Sequence, residues 1–114
     1  MPENTHDLDE IWPRWKDAVN MSPSRLEEWL DTEESRSVGQ KEEDGGESVG
    51  HRSGRRILGI LRTKRDDLTP GDVEHMHTVV GYVHRHLAQK PAKEDLETSR
   101  WRYSLMNWGH DPLT

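Results

Sequence analysis

With 114 residues, the chain has room for one domain with a core of several helices and not for two independent units. Leu, Ile and Val total 20 residues, Phe is absent and a third of the chain is charged, a balance near the disordered boundary that five Trp and four Met offset. The lack of Cys excludes disulfides, thiolate metal sites and a cysteine nucleophile. No apolar run is long enough for a signal peptide or a membrane span, so a cytoplasmic protein without a membrane partner is expected. Residues 1–50 carry a net charge of −9 and residues 51–114 carry +3. A molecule of that kind can turn its basic half to a polyanion, or fold one half against the other.

Residues 1–7 are polar and read as a flexible terminus; a single domain is expected over 8–114. Over 8–20, the apolar residues Leu8, Ile11, Trp12, Trp15 and Val19 recur at helical spacing, and Pro13 is expected to start or break that helix. Ser22 and Pro23 make a helix entry, with Ser22 as cap and Pro23 in the first turn. That helix is expected to reach about Glu34, burying Leu26, Trp29 and Leu30 and leaving an acidic face that includes Glu27 and Glu28. Residues 35–47 read as an irregular acidic, Gly-rich loop, and within it Ser37-Val38-Gly39-Gln40-Lys41 is echoed by Ser48-Val49-Gly50-His51-Arg52.

The most informative stretch is 48–67. As a helix it places Ile57, Leu58, Ile60, Leu61 and Leu68 on one side, and Arg52, Arg55, Arg56, Arg62 and Thr63 with Gly59 on the other. From His51 to Arg65 there are six basic residues and no carboxylate. Guanidinium groups fork onto phosphate oxygens, so this face is a candidate phosphate contact. The plainer account is a solvated face whose arginines pair with the surplus carboxylates, the acidic face over 27–34 being one candidate partner.

Thr69-Pro70-Gly71-Asp72 predicts a capping box and a core helix over 70–89 on the stripe Val73, Met76, Val80, Val83 and Leu87. His77 and His84 are placed at the core edge, while His75, Thr78, Tyr82, Arg85 and His86 are placed outward. No two of these histidines stand four residues apart, so no metal site and no cofactor are predicted. After a linker ending near Lys93, a last helix is expected over 95–107, buried through Leu96, Trp101, Leu105 and Trp108 and closed by Gly109, with Arg100, Tyr103 and Asn107 pointing elsewhere.

Five strings, Asn20-Met21-Ser22-Pro23, Trp29-Leu30-Asp31-Thr32-Glu33-Glu34-Ser35, ESVGHRSGRR over 47–56, VGYVHRHL over 80–87 and SRWRYSLMNWGHDPL over 99–113, resemble the small-domain family catalogued as DUF3140. The resemblance implies one helical domain, and because members are often labelled DNA-binding it also points toward nucleic acid. It brings no catalytic residue.

The expectation is therefore an all-α domain of about five helices that binds DNA or another nucleic acid. Arg52, Arg55, Arg56 and Arg62 would hold phosphates, Ser53 and Gly54 would let the backbone approach, and Arg85 and Arg100 would widen the footprint. Such a protein could sit in the nucleoid or nucleus. The alternative is a protein-interaction or structural module, a homodimer included, with no catalytic activity. No catalytic signature stands in the chain beyond His51 beside Ser53, which lacks a triad context.

Overall fold

A computed structural model describes residues 2–38, 48–92 and 95–113, with side chains from Asp7 onward. The described residues form an all-α domain: α1 (Pro2–Ala18), α2 (Pro23–Leu30), α3 (Glu33–Ser37), α4 (Val49–Leu61), α5 (Pro70–Leu87) and α6 (Arg100–Asn107). Two single-turn 3₁₀ segments, Arg65–Asp67 and Leu96–Thr98, precede α5 and α6. The acidic loop and the first copy of the five-residue echo fall largely outside the described residues.

Local chemistry explains most boundaries. Ser22, Thr32, Ser48, Thr69 and Ser99 each accept a hydrogen bond from a first-turn backbone N–H, satisfying donors that a helix start leaves without partners. At α5 the predicted capping box is complete: Asp72 N–H donates to Thr69 Oγ1 at 3.1 Å and Thr69 N–H to Asp72 Oδ2 at 3.0 Å. Gly109 takes φ +82°, the left-handed stop expected after the last helix.

Several expected element boundaries need correction, among them the last helix, which starts at Arg100 and not at 95. The helix predicted from Ser22 to Glu34 is two helices, because Thr32 donates its hydroxyl to Trp29 O and accepts from Ser35 N–H, ending one helix and starting the next. Residues 2–7, read as a polar terminus, open α1, since extending a helix already anchored at Ile11 and Trp15 costs far less than nucleating one. Pro13 does not break it; the proline lies on the exposed side, where water can take up the backbone carbonyl it leaves unbonded. The basic stretch is helical only to Leu61, and Leu68 packs on the core from the segment beyond.

The core runs through the whole domain. Ile11, Trp15 and Ala18 of α1 lie in the same cluster as Val73, Met76, Val79 and Val83 of α5, and Leu26, Leu30, Ile57, Ile60, Trp101, Leu105 and Trp108 continue it. The predicted apolar side of α4 is correct at Ile57 and Ile60, both buried, with Leu58 and Leu61 at its edge. The histidines exchange places relative to expectation. His77 and His84 are exposed, and His77 faces Asp7 at 3.3 Å. His75 and Tyr82 instead stack against Trp108, with Tyr82 4.1 Å from the indole between ring centroids, and His86 stacks on Tyr82. The sequence stripe marked one buried face of α5, whereas α1 and α6 cover two.

Burial pushes His75 below the ordinary histidine range, helped by the nearby Arg56 charge and opposed by Asp72; burial alone lowers His86. A histidine lowered in the fold binds its proton more readily in the unfolded chain, so stability rises with pH across that interval. Thermal melts are expected to show a loss of stability as pH falls below about 6.5, the unfolded histidine value, a loss that His75→Gln with His86→Gln reduces. A melting temperature that is flat from neutral pH to the carboxylate range would contradict this.

Candidate nucleic-acid interface

The outer side of α4 carries Arg52, Arg55 and Arg56 at helical spacing, all exposed, with Arg62 just past the last turn. Gly59 lies among them, and nothing stands within 4 Å of where its side chain would begin. To this extent the predicted arginine face is present.

Carboxylates meet it at several points. Arg62 grips Glu27 of α2 through both guanidinium nitrogens, at 3.0 and 3.3 Å. The Arg62 hydrogen bonds, and then its charge, hold the Glu27 carboxyl below the usual carboxylate range. Arg56 lies 3.7 Å from Asp72, and Arg65 pairs with Asp9 while its guanidinium sits 4.9 Å from the Trp12 ring centre. Arg55 shares a groove between α2 and α4 with Glu27, Glu28, Asp31 and Arg36. Of these, the Arg62–Glu27 pair lies in the segment that the plainer reading of the charge run named.

Ser53 and Gly54 are not on this outer face as the sequence placed them: both are buried on the inner side of α4. Ser53 Oγ is hydrogen-bonded to His75 Nε2 at 2.9 Å. A Cβ on Gly54 would lie 2.5 Å from Asn107 O and 2.6 Å from Leu30 Cδ2, so the glycine is where α4 touches α2 and α6 backbone to helix. Arg85 is also displaced from the proposed footprint: it lines a separate cleft with Arg14 of α1. Arg100 is exposed at the first position of α6, and no ion pair forms to it among the described residues. His51, the nearest thing to a catalytic candidate, is buried with Nε2 2.7 Å from Leu30 O, a bond the ring N–H donates.

The unforeseen constellation lies under this face. Asn107 is fully buried; its Oδ1 accepts from Trp29 Nε1 at 2.8 Å and from the Ser35 hydroxyl, and its Nδ2 donates to Ser35 O at 2.9 Å. Asp111, 1% exposed, accepts from Arg102 Nε and Nη2 at 3.1 and 3.0 Å and pairs with Arg25. The Asp111 hydrogen bonds raise Arg102 above its ordinary value. Asn20 and the Asp111 backbone exchange two hydrogen bonds of 2.8 and 3.0 Å. Buried polar groups are tolerated only when partnered, and here the partners tie α2, α3 and the C-terminal segment to α6. Of the polar residues in these strings, Ser35, Ser48, His51, Ser53, Ser99, Asn107 and Asp111 are thus buried inside the fold. No local spacing can announce this, since Ser35 and Asn107 are 72 residues apart.

Among the described residues no three potential ligands gather for a metal ion, and no helix is long and apolar enough to cross a membrane. No curated protein and no solved structure matches the chain. A family model described as a protein of unknown function (DUF3140) matches residues 14–106, from within α1 to the end of α6 but for its last residue. That match spans most of the chain, and the protein therefore belongs to the DUF3140 family.

Proposed function

We propose that the protein is a small non-catalytic module that associates with the sugar–phosphate backbone of nucleic acid through the outer face of α4. The supporting observation is the Arg62–Glu27 geometry. Two guanidinium N–H groups meet two carboxylate oxygens there, and a phosphate offers the same two-oxygen edge. An exposed ion pair is screened by solvent and contributes little, so a phosphate can replace Glu27, and likewise Asp72 at Arg56, at little cost. The footprint shrinks from the eight residues read in the sequence to Arg52, Arg55, Arg56 and Arg62. With four cations, two of them opposed by neighbouring carboxylates, binding is weak, insensitive to sequence and strongly dependent on salt.

Fluorescence anisotropy with random duplex, single strand and RNA at two salt concentrations tests this. Four phosphate contacts give a log–log salt slope of about −3.6 for duplex, and replacing all four arginines with glutamine should abolish binding while helix content by circular dichroism stays unchanged. Equal affinity before and after replacement rejects the site. The mixed charges of the α2–α4 groove favour a second reading, a protein-interaction module. A salt-sensitive dimer in light scattering, without nucleic-acid affinity, would select it.

A further inference from the structure

We propose that the cleft between α1 and the C-terminal half of α5 binds a small organic acid, a monocarboxylate with an apolar body. This site is separate from the α4 face and does not depend on the nucleic-acid reading.

The cleft, of about 680 Å³, lies in the size range of small-molecule sites. Its floor is apolar: Ala18 and Val83 are buried there, and Leu87 lies at the edge, 36% exposed, one of the few large apolar side chains the described surface shows. Its polar groups are mostly basic side chains. Arg14 comes from α1, His84 and Arg85 from α5, and His110 from the C-terminal segment; Asp17 is the lone carboxylate. Among the described residues neither Arg14 nor Arg85 forms an ion pair, although the protein as a whole is acidic. On α4, by contrast, Arg56 and Arg62 both face carboxylates. Two cations over an apolar floor are complementary to a molecule with one anionic end and a hydrocarbon body.

Two local features set the cations in place. Arg85 Nη1 would be 3.2 Å from a Cβ on Gly81, so the arginine folds back over the bare backbone one turn earlier and rests in the cleft. His110 Nδ1 lies 2.7 Å from Ala18 O, and since a carbonyl only accepts, Nδ1 carries the hydrogen and the ring is held at the rim. The last turn of α5 borders the cleft, and the negative end of its dipole disfavours a phosphate dianion more than a carboxylate monoanion.

Titration of the full chain with octanoate, followed by amide ¹H–¹⁵N shifts, tests the proposal. For a ligand of that size a Kd of about 1 mM is expected, with shifts confined to residues around Gly81, His84 and His110. Arg14→Gln with Arg85→Gln should weaken binding about tenfold or more, and Gly81→Ala should weaken it by crowding the guanidinium. Both arginines are exposed, so the double variant keeps the fold, and its unperturbed spectrum without octanoate verifies that. Octanol shifting the same residues equally overturns the anionic half of the proposal. Inorganic phosphate reproducing the octanoate shifts overturns the apolar half, and no shift at about ten times the expected Kd overturns both. Loss of nucleic-acid binding in the α4 variants leaves this outcome untouched, so the two readings fail separately.

Discussion

Gly54→Ala is expected to destabilise the protein by about 3 kcal/mol or more, the upper end of what overpacking a core costs. The added methyl would meet the Asn107 backbone oxygen at 2.5 Å and Leu30 Cδ2 at 2.6 Å. A leucine tip can rotate, but the main-chain carbonyl that ends α6 is fixed by the backbone, so the helices must separate and the buried Asn107 bonds lengthen with them. Gly59→Ala, in the same helix, is the matched control. Nothing stands within 4 Å of that position, so the substitution should stabilise by about 0.5–1 kcal/mol through helix propensity alone. Urea denaturation of the two variants reads both signs. Equal and small effects would mean that α4 does not approach α6 as closely as described.

Asn107→Ala is expected to cost about 3 kcal/mol, because one truncation leaves Trp29 Nε1, the Ser35 hydroxyl and Ser35 O without their partner under α6. Asn107→Asp separates the hydrogen-bond account from a simple loss of volume. The carboxylate keeps an oxygen for Trp29 but turns another toward the Ser35 carbonyl, and at a fully buried position its charge is costly. The folded pKa of that aspartate should therefore lie above its unfolded value, and the variant should lose further stability as pH rises through the carboxylate range, opposite in sign to the histidine effect. A double-mutant cycle with Ser35→Ala should return a coupling of about 1 kcal/mol or more, as expected for groups in one network. Additive losses would show that Asn107 acts by packing alone.

Gly54 bears on function as well as on stability. Gly54 and Ser53 look, as a string, like the small residues that let a phosphate come close to a backbone, and ESVGHRSGRR invites that reading. In the fold they face inward, and of that string the outward residues are mainly Val49 and the arginines. A variant at Gly54 that loses nucleic-acid binding would thus report unfolding and not a lost contact, which is why the arginine replacements on the exposed face are the informative ones.

Local chemistry alone determined much of this molecule. Short-range rules specify the Thr69 capping box, the Ser22–Pro23 entry, the Gly109 stop and the buried side of α4, since each depends on residues within one or two turns. Position in the third dimension settled the rest. Whether an outward arginine meets solvent or a carboxylate depends on α2 lying beside α4, and whether Asn107 faces water or Ser35 depends on a contact across 72 residues. Periodicity names one apolar face of a helix, but it cannot count the neighbours that will cover it; α5 has two, and its histidines changed places for that reason.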